Sequence, residues 1–479
     1  MGLLLGLVGI ACGTQPGAAV DADPAAGGTA SGGGPTGGAG GSGGSASGGV
    51  SSGGSDSGAG GSAPADEPLE FVRCFPQGDG SPYGSLPLAA TPSGSVLVLG
   101  SSAPPELFPD SPGFPFLLEL SPSGTELRSL ALPDAPGPEV MTVAADGSVF
   151  LAGQAGPGGV GELLLPTVES GYYLAKLSPT FEVLAVTAVN SPSTQVNALH
   201  VDEQGDLVVG IAVGDFAAGS MKPGVAKYAG DTLEEDWSTV FEHEIMPALI
   251  YGMTTLPDGR IVAAGLYSRT LTIGPFVLDK QLEAQDDDAA YAGWVAWLSP
   301  EDGEPLLAQT FSGAATAGVS DLTLTSAGTV RLLTTHAEPT VTLFGTTVEL
   351  GDHNAAVVDL DANGAVERAV PIGESDKGTF VMAIGKEGQT YLGGNTAHYA
   401  EDVSKTGALL RRIEADGTVG PTLSFVTGGP VSEIAVDTHG GVWISGSWET
   451  AFEWNGETQE PLSPIPEEPC RYLIHTTSL

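Results

Sequence analysis

The chain has 479 residues, of which 58 are acidic and 16 basic, so its formal net charge is −42. A surface this negative repels phosphate backbones, which excludes nucleic acid as a partner, and it also repels anionic lipid headgroups. Three cysteines in a chain of this length exclude a fold built on disulfides. High negative charge keeps a protein soluble and monomeric, so we expect a monomer.

The N-terminal segment Met1–Ala11 is apolar and too short to span a bilayer, which takes roughly 20 residues. It predicts the hydrophobic region of an export signal, although no Lys or Arg precedes Arg73. The segment leads into Cys12 and resembles a bacterial lipoprotein signal, in which a small residue precedes the cysteine that receives the lipid. That resemblance implies lipidation of Cys12, although the family's usual Leu is replaced here by Gly9. An ordinary signal peptide with a free cysteine is the alternative.

Residues 12–66 predict a flexible linker. Between Gly27 and Ser62, 18 of 36 positions are glycine and nearly all the others are Ser, Ala or Thr. Such a composition cannot bury a core, and random-coil scaling gives the linker a span of roughly 40 Å. A tether of this kind suits a domain that a lipid holds away from a membrane, and an inert low-complexity tail is the alternative. The folded region is then expected over residues 67–479.

The folded region repeats one short hairpin. The copy at Val140–Gly153 is two β-rich runs joined by Asp146-Gly147. Asp-Gly between such runs predicts a tight hairpin in which both turn residues take positive φ. Seven copies recur at intervals of 52 to 69 residues, and their turn glycines are Gly94, Gly147, Gly205, Gly259, Gly328, Gly388 and Gly440.

A second hairpin follows in most repeats, as in Phe116–Leu127 and Trp294–Gly303. Two hairpins give four strands per repeat, and a repeat of this size cannot bury both of its faces alone. Helical periodicity is almost absent. We therefore expect an all-β fold, a seven-bladed β-propeller that follows the signal segment and the disordered Gly/Ser-rich linker. A linear β-solenoid is the alternative, but its repeats are usually shorter.

Two stretches carry a family resemblance. Val262–Gly274 and Gly293–Pro300 resemble bacterial β-propeller repeats of the SBBP type, which occur in large exported and surface proteins. The resemblance implies a propeller outside the cytoplasm, and it implies no established activity. Together with Cys12, it places the protein at the outer membrane or cell surface of a bacterium, held to the membrane by the lipid alone.

The two ends of the folded region predict ring closure. Arg471–Thr476 matches the third strand of a repeat and Leu69–Phe75 matches a fourth strand, so the first strand would complete the last blade. Alignment with the hairpin of Trp294 places Cys74 opposite Arg471, with Cys470 one residue away. We expect a Cys74–Cys470 disulfide, which an oxidising compartment would preserve. Two free buried thiols are the alternative.

Other candidate sites are weak. The acidic run Asp286–Asp288, with Glu283 nearby, predicts a solvated loop, and a weak cation site is the alternative. Histidines are expected at surface or turn positions and not in catalysis; they are His200, His243, His336, His353, His398, His439 and His475. The strand aromatics are expected to fill the core and not to stack on a ligand; they are Tyr173, Trp294, Trp297 and Tyr472.

One turn has the spacing of a calcium loop. Asp359, Asp361, Asn363 and Glu367 place oxygen atoms at positions 1, 3, 5 and 9, with Gly364 at position 6. Ca²⁺ takes several oxygen ligands around a sharp turn, and the stretch resembles the calcium-binding hairpin loops of some propellers. An ordinary hairpin turn is the alternative. No other cofactor is expected.

These patterns predict a non-catalytic binding or scaffold module at the cell surface, whose partner is an unknown protein or glycan. The alternative is a propeller enzyme, a glycan hydrolase or lyase, with carboxylates over the central channel. An enzyme requires converging groups with perturbed pKa values in one pocket, whereas a scaffold does not.

Overall fold

The computed structural model describes twenty segments of the chain, and in these segments the regular structure is entirely β-strand. The predictions for Met1–Ala11, Cys12, the linker and Asp286–Asp288 lie outside them. No helix that could cross a membrane occurs within them. The segments are 71–76, 86–101, 114–132, 137–154, 159–160, 163–164, 171–189, 194–214, 221–243, 248–279, 291–311, 317–336, 339–351, 355–372, 378–395, 407–426, 431–448, 452–454, 457–459 and 470–477.

Seven antiparallel sheets of four strands follow one another along the described chain, here called sheets I to VII. Sheet I is Leu88–Ala90, Val96–Gly100, Phe116–Leu120 and Glu126–Ala131. Sheet II is Pro138–Val143, Val149–Gln154, Tyr172–Leu177 and Val183–Val189. Sheet III is Thr194–Val201, Leu207–Val213, Lys222–Tyr228 and Glu235–Val240. Sheet IV is Leu249–Thr255, Ile261–Tyr267, Ala292–Leu298 and Pro305–Phe311.

The remaining three sheets repeat this arrangement. Sheet V is Ala317–Leu324, Val330–His336, Ala355–Leu360 and Val366–Ile372. Sheet VI is Gly378–Ile384, Thr390–Asn395, Gly407–Ile413 and Val419–Val426. Sheet VII is Val431–Val436, Val442–Trp448, Cys470–Thr476 and, as its fourth strand, Phe71–Pro76.

Short additional strands lie outside these sheets. Glu242–His243 pairs with the hairpin Thr270–Ile273 and Phe276–Asp279. Three more hairpins lie between the second and third strands of sheets V, VII and II. They are Thr340–Leu343 with Thr346–Glu349, Phe452–Trp454 with Glu457–Gln459, and Gly159–Val160 with Leu163–Leu164.

The sheets are arranged in a closed cycle. The first strand of each sheet contacts the first strand of the next, and the first strand of sheet VII contacts that of sheet I. An apolar cluster fills each of the seven spaces between consecutive sheets, including the space between sheets VII and I. Burial of these faces requires neighbours on both sides, which a ring of sheets supplies. The chain folds as a β-propeller.

Burial follows the position of a strand in its sheet. Second and third strands are buried along nearly their whole length, whereas first strands remain partly exposed and fourth strands carry the most exposed residues. The strand aromatics Tyr173, Trp294, Trp297 and Tyr472 are at most 1% exposed. Their prediction as core residues is therefore confirmed.

The repeated turns have one geometry. All seven turn glycines take φ between 81° and 90°. In the copy at Ala144–Ser148, the Gly147 amide donates to the Ala144 carbonyl and the Ala144 amide to the Ser148 carbonyl. That pattern is a type I turn followed by a left-handed glycine, with φ negative at Asp146. The prediction that both Asp146 and Gly147 take positive φ is wrong, because the loop is one residue longer than a two-residue turn.

Closure by the N-terminal strand is confirmed, but its predicted register is wrong by one residue. Cys74 pairs with Tyr472, and Phe75 pairs with Arg471. The predicted register takes the hairpin of sheet IV as its template, and a bulge between Trp297 and Leu298 shifts the pairing in that hairpin. Short turns alone do not reveal such a bulge.

The corrected register bears on the predicted disulfide. Cys470 pairs with Pro76, so it lies two positions from direct apposition to Cys74. Diagonal neighbours of this kind have Cα atoms about 7–8 Å apart, and a disulfide needs less than about 7 Å. Pro76 has no amide hydrogen to donate to the strand ladder, so the backbone opposite Cys470 is held by one hydrogen bond fewer. The side chains of the two cysteines lie outside the described residues, and the bond stays a prediction.

Mass mapping of the unreduced protein tests this bond. We expect a linked peptide that contains Cys74 and Cys470, and its disappearance after reduction is the control. Alkylation of both cysteines without reductant would contradict the prediction.

Candidate functional site

The two ends of the sheets differ in their connections. Each connection from a first to a second strand has five residues, and those from a third to a fourth strand have five or six. Connections from a second to a third strand have eight to 24 residues. Because the strands are antiparallel, these long connections share one end of the sheets with the links between sheets. We call this the loop end and the opposite one the turn end.

At the turn end, an ion-pair network joins sheets V and VI. Arg331 donates from Nε and Nη2 to the two carboxylate oxygens of Asp359 at 2.6 and 2.9 Å. Arg368 Nη2 donates to Asp359 Oδ2 at 2.6 Å. Both arginines also reach sheet VI, where Arg331 bonds Thr390 Oγ1 at 2.6 Å and Arg368 bonds the Ala415 carbonyl at 2.8 Å. Asp359 is thus the anionic centre of a buried contact between two sheets.

A similar contact joins sheets I and II. Arg128 pairs with the buried Glu119 at 2.6 Å, and it also donates to the carbonyl of Pro179 in the next sheet. Between sheets III and IV the contact is neutral, since Trp237 Nε1 donates to the Pro300 carbonyl at 3.1 Å. These side chains fix neighbouring sheets to one another, so their position at the turn end is structural.

The predicted calcium ligands lie in this turn end and do not converge. Asp359 is engaged by the two arginines described above. Asp361 Oδ1 accepts the amides of Asn363 and Ala365 at 2.8 and 2.9 Å, and Glu367 is exposed. Among the described residues, no group of three or more His, Cys, Asp or Glu side chains could hold a metal ion. Calcium binding stays a prediction, and this geometry argues against it.

A buried histidine supports sheet VII. His475 is 0% exposed, and its ring stacks on Trp443 with centroids 4.2 Å apart. Asp437 contacts a nitrogen of each ring: its Oδ2 is 3.4 Å from His475 Nε2 and accepts Trp443 Nε1 at 3.3 Å. Asp437 Oδ1 accepts the Gly441 amide at 2.9 Å. The cluster ties the third strand to the turn between the first two strands.

Two more histidines are buried in the same way. His243 Nε2 lies 2.9 Å from the Ser268 carbonyl, and His336 Nε2 lies 2.8 Å from Thr334 Oγ1. Burial lowers the pKa of His336 to about 4, so its ring is neutral at physiological pH. The prediction that histidines lie at surface or turn positions is wrong for His243, His336 and His475. Each has a polar group of the fold close to one ring nitrogen, which its sequence position does not indicate.

Most first strands carry a bulge near the loop end. In sheets II to VII, the strand register skips one residue, which lies eight positions before the turn glycine. Such bulges redirect side chains and often lie beside functional sites. The bulged residues are Glu139, Asn197, Tyr251, Ser320, Phe380 and Ser432.

Two carboxyl groups directly follow these bulges. Asp321 accepts the Leu322 amide at 2.7 Å and the Met382 amide of sheet VI at 2.8 Å. Asp321 is half-buried, and removal of its carboxyl group from water raises its pKa to about 7. Glu433 is the equivalent residue of sheet VII. Burial, and then the charge of Asp321, raise the pKa of Glu433 to about 8. Both groups can therefore carry a proton near neutral pH.

A third carboxyl group belongs to the bulge of sheet II. Glu139 accepts Tyr172 Oη at 2.6 Å and Gln154 Nε2 at 2.9 Å. Burial raises the pKa of Glu139, and these two hydrogen bonds partly offset the rise. Tyr173, next in the chain to Tyr172, is fully buried and its hydroxyl lacks a partner. Burial and the charge of Glu139 raise the pKa of Tyr173.

No local sequence motif indicates Asp321, Glu433 or Glu139. A usable signal was present, because Asp321 and Glu433 both lie seven residues before a turn glycine. The other five repeats have an apolar or small residue there: Pro87, Val140, Ala198, Gly252 and Val381. Two carboxyl groups at a position that the repeat otherwise keeps apolar indicate a role beyond packing.

Comparisons with known proteins give structural likeness at low sequence identity. Neither a protein-family model nor a curated protein sequence matches the chain. The β-propeller domain of the Trilobed protease from Pyrococcus furiosus aligns with a TM-score of 0.44 and 10% identity, over 83% of this chain and 99% of that one. A protein of unknown function from Bacteroides caccae aligns with a TM-score of 0.39 and 11% identity, over 68% and 93%. The phage phi92 endosialidase aligns with a TM-score of 0.40 and 8% identity, over 85% and 69%.

Proposed function

We propose that this protein is an exported, lipid-anchored binding module that presents the loop end of its propeller to a protein or glycan at a bacterial surface. The unequal ends of the sheets carry this proposal. Five- and six-residue turns leave little room for variation, whereas connections of eight to 24 residues vary between repeats. Variable connections on a rigid frame are the usual place for binding residues.

The setting follows from the N-terminal residues and the repeats. Cys12 after an apolar segment, the Gly-rich linker and the resemblance to SBBP-type repeats support export and a lipid anchor. The net charge of −42 favours a neutral or cationic partner over an anionic one. The enzyme alternative is less well supported: Asp321 and Glu433 have raised pKa values, but both oxygens of Asp321 already accept backbone amides.

A screen of glycan and protein arrays with the full chain tests the binding role. One variant replaces residues 281–290, in the long connection of sheet IV, with a Gly/Ser segment of equal length. A matched variant carries Glu203→Gln in a turn at the opposite end. We expect the first variant, or the same replacement in another long connection, to lose a ligand that the second retains. Binding that survives every loop replacement, or that only turn-end substitutions abolish, would contradict the proposal.

The anchor has its own test. We expect Cys12→Ser to release the protein from the membrane fraction of an expressing bacterium, because the lipid is the predicted attachment. The β-sheet circular dichroism of the released protein should match that of the unaltered chain. Retention of the variant in the membrane fraction would show that something other than a lipid on Cys12 holds it.

A further inference from the structure

The first strands of the seven sheets contact one another around the cycle and are here called the inner ring. One carboxyl group on this inner ring joins two sheets. Asp321 follows the bulge in the first strand of sheet V and accepts amides from its own strand and from Met382 in the first strand of sheet VI. A first strand pairs with a second strand on one side only, so amides on its other edge need different acceptors. Asp321 supplies two such acceptors and thereby links the inner edges of sheets V and VI.

Glu433 places a second carboxyl group on the same ring. It occupies the equivalent position of sheet VII, directly after the bulge in that first strand. Its charge is coupled to that of Asp321 although sheet VI lies between them in the cycle. No other titratable side chain occurs in the first strands of sheets V, VI and VII. These three strands therefore contain no cationic side chain that could offset the charge of the two carboxyl groups.

The packed neighbours do not neutralise this pair. Strands packed against the two first strands carry the cationic or titratable side chains Arg331, His336, Arg411 and Arg412. Arg331 is held by Asp359 and Arg412 by Glu414, while Arg411 bonds Thr422. The same neighbouring strands carry Tyr251, Tyr267 and Tyr391. None of these groups contributes to the raised pKa of Asp321 or Glu433.

We propose that Asp321 and Glu433 form a pH-sensitive latch on the inner ring, closed while at least one of them is protonated and loosened when both are ionised. With one negative charge, Asp321 can hold both amides while Glu433 stays neutral. A second negative charge on these first strands repels the first, because surrounding protein screens charges less than bulk water does. The repulsion acts on the first strands of sheets V to VII. Because each first strand begins at the loop end, the repulsion also acts on the connections there.

The direction of the pH effect follows from proton linkage. Both carboxyl groups have a higher pKa in the folded protein, about 7 and about 8, than their ordinary values of 3.8 and 4.5. The folded state therefore holds protons that the unfolded state has already released. Their contribution to stability is fully present below the ordinary values and is lost as the pH rises through about 7 to 8.

Thermal unfolding of the full chain between about pH 5 and about pH 9 tests the latch. We expect the midpoint temperature to fall with rising pH, and Glu433→Gln to reduce that fall while Asp321 still contributes to it, because burial alone raises the pKa of Asp321. Glu387→Gln is the matched control, because Glu387 is an exposed turn glutamate of sheet VI and the substitution changes the net charge equally. An equal pH dependence in Glu433→Gln and Glu387→Gln would overturn the proposal.

Two measurements on the unaltered chain remain decisive even if Glu433→Gln fails to fold. The rate of hydrogen exchange at the Met382 amide, corrected for its intrinsic rate, should rise roughly tenfold or more between pH 6 and pH 9. A tenfold rise corresponds to a shift of about one pKa unit. Infrared spectra should show a protonated carboxylic acid at pH 6 that is absent at pH 9. A flat exchange profile, or the absence of that band at pH 6, would overturn the latch.

Discussion

Replacement of Asp359 by alanine should lower the free energy of unfolding by about 3–5 kcal/mol, the range expected when a buried ion pair loses one partner. The Arg331 side chain is 5% exposed and would keep its charge without its carboxylate partner. Arg368 would lose the same partner, so sheets V and VI would lose the centre of their polar contact. Chemical denaturation followed by tryptophan fluorescence measures this change.

Glu367→Ala provides the matched control for that measurement. Glu367 lies in the fourth strand of the same sheet and is exposed, so its removal should change the free energy of unfolding by less than about 0.5 kcal/mol. Equal costs for the two substitutions would show that the network around Asp359 does not hold the sheets together.

Replacement of Phe75 by alanine should cost about 3–5 kcal/mol, because it empties the space between the closing strand and sheet I. Phe75 is 1% exposed, and its ring stacks on Phe116 with centroids 5.8 Å apart. Loss of this side chain weakens the contact by which sheets VII and I complete the cycle. Equilibrium unfolding in denaturant gives the cost directly.

Phe114→Ala separates this effect from the general loss of an aromatic side chain. Phe114 precedes the third strand of sheet I and is 42% exposed, so we expect a cost below about 1 kcal/mol. If Phe75→Ala proved as mild as Phe114→Ala, the closing strand would contribute little to the stability of the ring.

Local patterns predicted the strands, the seven turn glycines and the buried aromatics, because a hairpin is specified by residues close together in the chain. The bulges were not predictable in this way, since an extra residue in one strand becomes visible only when its partner strand is known. The wrong register at Cys74 has that cause. The turn geometry at Asp146 was wrong for a related reason, because one additional loop residue changes the turn type.

Contacts between sheets were the least predictable features. Arg331 bonds Thr390, 59 residues further along the chain, and the sequence around either residue does not predict this contact. For the same reason the turn around Asp359 predicts a calcium ligand but gives no sign of the two arginines that pair with it. Asp321 and Glu433 were missed because their significance lies in the comparison of equivalent repeat positions.

The closing strand has a consequence for the order of events during synthesis. Phe71 pairs with His475, so about 400 residues must be made before this ladder can form. At typical bacterial and eukaryotic elongation rates this takes roughly 20–80 s. Throughout that time the strand that carries Phe75 has no sheet to join, and both of its edges remain open to other chains. The nascent protein therefore passes through a long interval in which its earliest strand must be kept from pairing with the wrong partner.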